Sequence, residues 1–457
     1  MIDYDAVIIG SGTAGQTAAY ALKAQGLNIA VVEKSDTPGG TCALAGCQAK
    51  KWFYEGMEVM AKSHHLKGKG ILSAPQDSWA DFLQEKNRFT KTVPAGTLNG
   101  FEKAGIDLIA GTAHFQDEKT LRVDGRNISA RYFIVASGSR PMPLPIKGIE
   151  HAITSDQFLD LPSLPNRFVF IGGGFISFEF AHFVAHLGDS PGRQTFILEA
   201  ASRPLGPFDA EMVSLLMDAS KAEGINVLTG VQISAIEQSG SAFRVKTGNG
   251  DAYAADIVVN SAGRIADIDG LDLDRADIDH GHRGIVVNAT MQTTQPHIYA
   301  IGDCAATIQL ARVADCEAMV AVDSILGVTE STTGSGMDYS AIPSVLFTYP
   351  QYGMVGYTED ALKSEGIPYR KSVGKKLTWP TYRRIGMDNA AYKILIGNDG
   401  EFLGAHILSD NASGIITSVR LAMLNRISVE TLYRQSIMSP YPSRESDMVY
   451  MLKPLVS

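Results

Sequence analysis

Residues 5–33 read DAVIIGSGTAGQTAAYALKAQGLNIAVVE, which is the pattern of a strand, a glycine-rich turn, a helix and a second strand. Gly10, Gly12 and Gly15 form a G-x-G-x-x-G turn, and Glu33 follows about 20 residues later. Glycines at this spacing let backbone amides approach a pyrophosphate at a helix N-terminus, and the acidic residue binds ribose hydroxyls. The stretch therefore predicts a Rossmann-like unit that binds a dinucleotide.

The same pattern occurs a second time in the chain. Residues 167–188 read RFVFIGGGFISFEFAHFVAHLG, with Gly172 and Gly174 in the turn, and QTFILE then ends a second strand at Glu199. Ser177 stands where the third glycine would be, but serine is small enough for a close contact between helix and strand. Two such units predict two dinucleotides. Glu199 favours the free 2′-OH of NADH over the 2′-phosphate of NADPH, and Arg203 is the one nearby residue that opposes this preference.

Composition places the chain among ordinary globular proteins. Its 457 residues are 45% hydrophobic and 19% charged, which is enough for about three domains. No apolar stretch is long enough to span a bilayer, and no basic leader precedes the first strand, so we expect a cytoplasmic protein without membrane association. The formal charge of −9 and the lack of long basic runs argue against nucleic acid as a partner.

Two of the four cysteines lie close together. Residues 39–51 read GGTCALAGCQAKK, which places Cys42 and Cys47 five positions apart. In a reducing compartment such a pair is more often catalytic or metal-binding than structural. No histidine or further cysteine nearby completes a set of four metal ligands, so the pattern favours redox chemistry. Cys304 and Cys316 are isolated in apolar surroundings and are expected to be structural.

Three further segments place small residues after buried strands, as expected where sheet ends approach a ligand. YFIVASGSRP (132–141) contains Ser137 and Gly138, DIVVNSAGR (256–264) contains Gly263, and HIYAIGDCA (297–305) contains Asp303. An aspartate after such a strand is suited to accept hydrogen bonds from a polyol chain.

With these motifs in order, the chain resembles the flavoprotein disulfide reductases with two dinucleotide-binding domains, the family of dihydrolipoamide dehydrogenase, glutathione reductase and mercuric reductase. The resemblance covers nearly the whole chain and is carried by GSGTAG, GGTC-x4-GC, ASGSRP, GGGFISFE, IYAIGD and FTYPQYGMVGYTE. It implies an α/β fold with Rossmann-like FAD and NAD(P) domains and a C-terminal α+β dimerisation domain, in a homodimer. The implied boundaries are 1–150 and 266–335 for the FAD domain, 151–265 for the NAD(P) domain and 336–457 for the dimerisation domain.

The resemblance also implies roles for individual residues. Cys47 would face the flavin and Cys42 the acceptor, as a redox-active disulfide, while Lys51 near the flavin would pair with Glu179 and Phe175 would gate the nicotinamide. CQAKK departs from the family's C-x-P-S-K at Gln48 and Lys50. The residues implied in FAD binding are Gly10, Gly12, Gly15, Glu33, Gly40, Thr41, Ala113, Ser137, Gly138 and Asp303; those implied in NAD binding are Gly172, Gly174, Phe175, Glu199 and Gly263.

The cysteine spacing has consequences for local structure. Residues five apart in an ideal helix are too distant for a disulfide, so the helix must be distorted between them, and Gly46 supplies the freedom. Since the pair follows Gly39 and Gly40 at a helix start, the helix dipole is expected to lower the thiol pKa.

The C-terminal segment lacks the residue that such enzymes use as an acid. Glutathione and lipoamide reductases carry H-P-T-x-S-E there, and the histidine protonates the leaving thiolate. Here YPSRES (441–446) aligns with it, so Tyr441 replaces the histidine and Ser446 the glutamate. Mercuric reductase similarly carries a tyrosine, but it also ends in a cysteine pair that this chain lacks. Tyr441 is therefore either catalytic or a residue of the dimer interface.

Four functions remain open. The first is an NADH-dependent flavoenzyme that uses Cys42 and Cys47 to reduce an acceptor needing little acid catalysis, such as a metal thiolate complex, a persulfide or a reactive disulfide. The alternatives are a dihydrolipoamide dehydrogenase-like disulfide reductase, or a flavin reductase that passes electrons from FAD to quinone or oxygen with the dithiol as a redox sensor. A non-catalytic dimeric partner of a larger complex is the fourth.

Overall fold

The structure is a computed structural model that describes residues 3–188, 192–328 and 336–456. Its α-helices are α1 Thr13–Ala24, α2 Gly40–Leu44, α3 Cys47–His65, α4 Trp79–Thr90, α5 Val93–Ala104, α6 Ser155–Phe158, α7 Phe175–His186, α8 Ala210–Ala222, α9 Ala311–Leu326, α10 Glu359–Glu365, α11 Pro380–Arg383, α12 Ala412–Leu424, α13 Val429–Ser436 and α14 Met448–Leu452.

The strands are β1 Tyr4–Ile9, β2 Ile29–Glu33, β3 Asp107–Ala110, β4 Ala113–Asp117, β5 Thr120–Val123, β6 Arg126–Val135, β7 Ser139–Pro141, β8 Ile153–Thr154, β9 Arg167–Ile171, β10 Gln194–Leu198, β11 Ile225–Leu228, β12 Ile233–Ser239, β13 Ala242–Thr247, β14 Ala252–Ala255, β15 Ile257–Asn260, β16 Arg264–Ala266, β17 His280–Gly281, β18 Gly284–Ile285, β19 Ile298–Ala300, β20 Ser344–Leu346, β21 Gln351–Gly356, β22 Arg370–Gly374, β23 Ala391–Ile396 and β24 Phe402–Ser409.

The chain forms two compact units. Unit 1 combines residues 1–52, 83–143 and 263–338, and unit 2 combines residues 53–82, 144–262 and 339–457, each within its described residues. Three of these breaks lie within seven residues of the domain boundaries expected at 150, 265 and 335, which stay predictions.

Unit 1 is built on a parallel sheet in the order β3-β2-β1-β6, with β19 also paired to β6. The hairpin of β4 and β5 continues the sheet through an antiparallel pairing with the first part of β6. Ala6, Val7 and Ile8 of β1 are fully buried, because a strand in the middle of a parallel sheet is covered on both faces. This is the strand–turn–helix unit that residues 5–33 predicted.

Unit 2 repeats the architecture in a parallel sheet of order β11-β10-β9-β15-β8. Its central strand β9 buries Phe168, Val169 and Phe170 completely, and the antiparallel meander β12-β13-β14 follows in the chain before β15. Residues 344–409 of the same unit form a separate antiparallel sheet in the order β20-β21-β24-β23-β22. The predicted fold class is thereby confirmed: two Rossmann-like sheets and a C-terminal α+β region.

None of the helices among the described residues combines the length and apolar character needed to cross a bilayer.

Candidate active site

Four segments of unit 1 leave parallel strands at the same edge of the sheet. Gly10 follows β1, Glu33 ends β2, Ser137 and Gly138 follow β6, and Asp303 follows β19. Ligands of open α/β sheets bind at the carboxyl ends of the strands. The fold therefore brings these predicted FAD-binding residues to one edge.

Glu33 is oriented by Ser11, which occupies the position between the first two glycines of the G-x-G-x-x-G motif, where any residue is allowed. The amide and hydroxyl of Ser11, which is fully buried, donate to Glu33 Oε2 at 2.9 and 2.6 Å, and the Gly39 amide donates to Ser11 Oγ at 3.0 Å. Gly40 has φ of +77°, and a Cβ on it would lie 2.5 Å from the Cα of Gly12. Only glycine allows the two turns to approach so closely, which gives backbone room for a pyrophosphate.

Asp303 and Ala113, two further residues predicted to bind FAD, lie in the same unit. Asp303 accepts a hydrogen bond of 2.8 Å from Ser139 Oγ, and the preceding Gly302 amide donates to the buried Glu317 at 2.7 Å. Ala113 begins β4, and the nearby Gly111 amide donates to the Glu33 carbonyl at 2.9 Å. The residues present thus fit an FAD cofactor, although their individual roles stay predictions.

The dithiol lies at an interruption between two helices. α2 ends at Leu44 and α3 begins at Cys47, so the expected distortion is present. Gly46 does not have a positive φ; a Cβ on it would lie 2.9 Å from the Thr41 carbonyl oxygen and 3.4 Å from the Cα of Cys42. Glycine is needed there because the chain passes close to the preceding helix, and not because of a left-handed backbone.

Cys42 and Cys47 are thiols whose side chains hydrogen-bond to each other. This hydrogen bond, followed by burial, raises the pKa of Cys42. The expectation that the helix start lowers the thiol pKa is therefore wrong for Cys42 in the dithiol state. The thiolate form of Cys42 is disfavoured because the Cys42 thiol is hydrogen-bonded to Cys47 and partly buried, and a charge on Cys47 would add to the effect.

The other two cysteines differ in their surroundings. Cys304 is fully buried and donates to the carbonyls of Val135 and Ile301, both at 3.3 Å, and burial raises its pKa to about 11. A thiol in this environment is inert. Cys316 is exposed on α9.

The second glycine turn lies in unit 2. Gly172 has φ of +94°, and Gly174 caps the N-terminus of α7, whose first residue, Phe175, is 47% exposed. Ser177 takes the place of the third glycine; its hydroxyl bonds to the Gly172 carbonyl and to Ser261 Oγ, the latter at 2.7 Å. The serine replacement therefore ties α7 to the ends of β9 and β15.

Glu199 and Arg203, the residues predicted to affect the choice between NADH and NADPH, follow β10 in the chain. Glu199 Oε2 accepts from the Gly173 amide at 2.5 Å, and its Oε1 accepts from the Ala201 amide at 2.7 Å. The guanidinium of Arg203 donates to two backbone carbonyls, those of Phe208 at 2.6 Å and Gly206 at 2.7 Å.

Glu179 and His182 fasten α7 to residues 347–349. Glu179, which is 1% exposed, accepts from the Phe347 amide at 3.0 Å, and His182 Nδ1 accepts from the Tyr349 amide at 3.4 Å. An imidazole that accepts at Nδ1 must be neutral and carry its proton on Nε2, which faces Ser220 Oγ at 3.1 Å. The predicted pairing of Glu179 with Lys51 stays a prediction, as does the role of Gly263, which belongs to unit 1.

A histidine cluster surrounds one carboxylate at the ends of α3, α7 and α8. Glu223 lies 3.2 Å from His65 Nε2 and 3.7 Å from His186 Nε2, and His182 and His186 have ring centroids 6.1 Å apart. Burial lowers the pKa of His182 to about 3 and that of His186 to about 4. Despite its own burial, Glu223 has a pKa lowered to about 2, chiefly by its hydrogen bond with His65.

Tyr441 lies on a C-terminal segment held by polar contacts. Arg444 binds Asp410 with two hydrogen bonds of 2.6 and 3.1 Å, and Ser443 and Ser446 exchange hydrogen bonds of 3.0 and 3.1 Å between backbone amides and hydroxyls. Tyr441 itself is 78% exposed.

Neither Ser446, which stands at the position of the missing glutamate, nor Glu445 beside it is available to orient a base at position 441. Ser446 is engaged with Ser443, and Glu445 accepts from Asn411 Nδ2 at 2.5 Å. His406, the last histidine of the chain, is fully buried in β24 and donates from Nε2 to the Tyr357 carbonyl at 3.0 Å. Burial lowers its pKa to about 4. It cannot replace the absent acid.

Sequence reasoning missed several residues of these sites. Ser11, Ser139, Glu317 and His182 each bond to a partner that lies 15 to 167 residues away in the chain. Only Ser11 carried a local signal, since it lies between two motif glycines.

Comparisons with known proteins agree with this geometry. A family model described as pyridine nucleotide-disulphide oxidoreductase matches residues 4–318, and the model of its dimerisation domain matches residues 342–449. A dihydrolipoyl dehydrogenase of Chlamydia trachomatis is 30% identical over 94% of this chain and 92% of its own length. A mercuric reductase of Staphylococcus aureus is 29% identical over 94% of this chain and 79% of its own length. The Cu(II) complex of the HOCl-induced flavoprotein disulfide reductase RclA from Escherichia coli superimposes with a TM-score of 0.88 at 25% identity, over the full length of both chains.

Proposed function

The chain belongs to the pyridine nucleotide-disulphide oxidoreductases, FAD-dependent enzymes that use NAD(P)H, and from that premise we propose that it passes electrons from NADH through FAD and the Cys42–Cys47 pair to an acceptor that needs no acid catalyst. We take this acceptor to be a soft metal ion or its thiolate complex, with persulfides as the chemical alternative. The enzyme would act as a cytoplasmic homodimer.

The residues of unit 1 would hold the cofactor by the contacts already described. Gly10, Gly12 and Gly40 would receive the pyrophosphate, Glu33 the adenosine ribose and Asp303 the polyol chain. Bound FAD would supply two-electron transfer between the nicotinamide and the dithiol. The part of Cys42 and Cys47 is to store those two electrons as a pair of thiols.

One observation carries the choice of acceptor: the C-terminal segment offers Tyr441 where a disulfide reductase needs an acid. Tyr441 is 78% exposed, and the buried His406 cannot take its place. The phenol of a tyrosine side chain is a much weaker acid than the imidazolium of histidine, so it does not exchange its proton near neutral pH as histidine does.

The proton balance of the two possible reactions supports the metal ion. When a dithiol reduces a disulfide, each sulfur of the substrate leaves as a thiolate that must take up a proton. When a dithiol reduces a metal ion, it gives up two electrons, either to one Hg(II), which becomes Hg(0), or to two Cu(II), which become Cu(I); it becomes a disulfide and releases its own two protons. The second reaction needs no group that donates a proton to a leaving sulfur.

The relatives are compatible with such an acceptor. A mercuric reductase is among the similar sequences, and one similar solved structure is a complex with Cu(II). The match to a dimerisation domain, together with the exposed apolar side chains of Ile437 and Met438 beside Tyr441, supports the homodimer.

An acceptor panel on the NADH-reduced holoenzyme tests the proposal. We expect kcat/KM for Hg(II) buffered by a small thiol, or for Cu(II) buffered by an amino acid that does not reduce it, to exceed that for glutathione disulfide or lipoamide by about 10²-fold or more, because general acid catalysis is typically worth that much to the disulfides. Tyr441→Phe should leave the low disulfide rates unchanged. Lipoamide or glutathione disulfide turnover as fast as metal reduction would refute the choice of acceptor.

NADH should be preferred over NADPH by about tenfold or more in kcat/KM, because Glu199 repels a 2′-phosphate and Arg203 is engaged with backbone carbonyls. Steady-state rates of flavin reduction with each nucleotide measure the preference. Glu199→Gln should reduce the preference for NADH, and Arg203→Gln should leave that preference unchanged. Equal or better use of NADPH by the parent enzyme would contradict the assignment.

A further inference from the structure

We propose that Asp315, on α9, sets the charge preference at Cys42, so that the site favours cationic over anionic acceptors; this inference rests on the proposed role of Cys42 as the thiol that meets the acceptor. The family motifs in the sequence assign no role to Asp315.

Asp315 is held in place by α1, the helix that follows the glycine turn of Gly10 and Gly12. Its Oδ1 accepts from Thr13 Oγ1 at 2.8 Å and from Thr17 Oγ1 at 3.3 Å, both on α1, and its Oδ2 accepts from Arg312 at 2.8 Å. Two threonine hydroxyls from one neighbouring helix therefore fix the carboxylate in one position.

The same turn places this carboxylate near the dithiol. Thr13 follows Gly12, and Gly12 lies so close to Gly40 that a Cβ on Gly40 would be 2.5 Å from the Gly12 Cα. Cys42 is only two residues beyond Gly40. Consistent with this arrangement, the charge of Asp315 raises the pKa of Cys42 and that of Arg312 lowers it, after the larger effects of Cys47 and burial.

The two charges of the pair do not cancel at Cys42. The side chain of Arg312 is 93% exposed, whereas that of Asp315 is only 19% exposed. Water and salt screen the guanidinium far more than the half-buried carboxylate. Of these two charges, that of Asp315 therefore acts more strongly on the thiol, which favours a metal cation and disfavours an anionic substrate such as glutathione disulfide.

Two methanethiosulfonate reagents of opposite charge measure this field directly. The trimethylammonium-ethyl reagent is a cation and the sulfonato-ethyl reagent is an anion, and a thiolate attacks both by the same step: the sulfur of the thiolate bonds to the reagent's thioalkyl sulfur and a methanesulfinate leaves. The experiment uses the reduced holoenzyme in a Cys47→Ser background, and peptide mass spectrometry reports modification at Cys42 separately from Cys316.

Asp315→Asn should lower the ratio of cationic to anionic modification rates at Cys42 by about fivefold at low salt, as expected for one charge removed at intermediate range in a partly screened site. The effect should shrink in 0.5 M salt. Asp315→Glu should restore the ratio, and Arg312→Gln should raise it. Asp269→Asn, which removes an equal charge from an exposed surface ion pair with Arg140, is the matched control and should leave the ratio unchanged.

A ratio in Asp315→Asn equal to that of the parent, or a shift that salt does not reduce, would overturn the inference. If Asp315→Asn fails to bind FAD, the salt dependence of the parent enzyme decides, because a ratio of cationic to anionic modification rates that 0.5 M salt leaves unchanged also contradicts the proposal. The reagents need no metal reduction, so a shifted ratio in an enzyme that reduces no metal ion would uphold the role of Asp315 while refuting the proposed acceptor.

Discussion

Cys42→Ser is expected to lower acceptor reduction by roughly 10³-fold or more, the scale seen when a reacting nucleophile is removed. Cys42 and Cys47 are hydrogen-bonded to each other, and the pair can hold two electrons only if both sulfurs are present. Flavin reduction by NADH should continue at close to the parent rate, because that step precedes the dithiol. Anaerobic stopped-flow spectroscopy separates the two steps by following flavin absorbance with NADH alone and then with the acceptor.

Cys316→Ser provides the matched control, since Cys316 is the other exposed cysteine of unit 1 and should tolerate the change without loss of turnover. Cys47→Ser should also stop acceptor reduction and should remove any long-wavelength charge-transfer absorbance, which Cys42→Ser should retain. Full acceptor turnover in Cys42→Ser would show that electrons leave directly from the flavin, and the chain would then act as a flavin reductase with a regulatory dithiol.

The two Rossmann-like units could be predicted from sequence because their information is local. Strand β1, its glycine turn and helix α1 occupy residues 4–24, and the physical demands of a close turn are met by glycines that are neighbours in the chain. The same holds for β9 and α7, where a serine in place of the third glycine did not obscure the pattern. The strand ends that carry Asp303 and Ser137 were found for the same reason.

The contacts that position these residues could not be predicted because their partners are remote. Glu33 is oriented by Ser11, Ser177 by Ser261, and Glu179 by the Phe347 amide. The error about the pKa of Cys42 has a similar origin. The helix dipole was visible in the sequence, whereas the hydrogen bond with Cys47 depends on a helix interruption whose geometry only the structure gives.

The buried charged residues also could not be predicted from the sequence. Lys393, in a strand that reads as apolar, is buried among Asp209, Glu211 and Glu359, with contacts of 2.8 to 2.9 Å. The free-energy cost of burying these charges is offset only when all of the ion pairs form together. The sequence around any one of these residues therefore does not predict that it is buried. The histidine cluster at Glu223 is of the same kind, and it leads to a prediction about acid stability.

The folded protein is expected to lose roughly 3 kcal/mol of its free energy of unfolding between pH 7 and pH 5, owing to His182 and His186. Burial lowers their folded-state pKa values to about 3 and about 4, from an ordinary value of 6.5. The unfolded chain therefore takes up protons below about pH 6.5 that the folded chain resists. Their contribution is fully present above that pH and is lost as the pH falls towards the folded values.

The lowered pKa values of Glu223 and His406 do not turn this loss of stability on acidification into a gain. The lowered pKa of Glu223, about 2, stabilises the fold above its ordinary value of 4.5 and is lost only below it, so its effect falls in a more acidic range. His406, whose pKa is lowered to about 4 by burial, adds to the loss in the same range as the cluster. Acidification from neutral pH should thus destabilise the protein in two successive steps.

Thermal unfolding of the holoenzyme at pH 7 and pH 5 measures the effect, with an expected decrease in Tm of about 3 °C for a chain of this size. His182→Asn keeps an acceptor for the Tyr349 amide but removes one of the three buried titrating histidines, so it should reduce the difference in Tm by about a third. His282→Gln removes an exposed histidine and should leave the difference unchanged. If His182→Asn retains the full decrease in Tm, or if the parent is equally stable at both values of pH, His182 is not the group that confers acid sensitivity. A neutral His182 matters beyond stability, because protonation at Nδ1 would break the bond to the Tyr349 amide that, with Glu179, fastens α7 to residues 347–349.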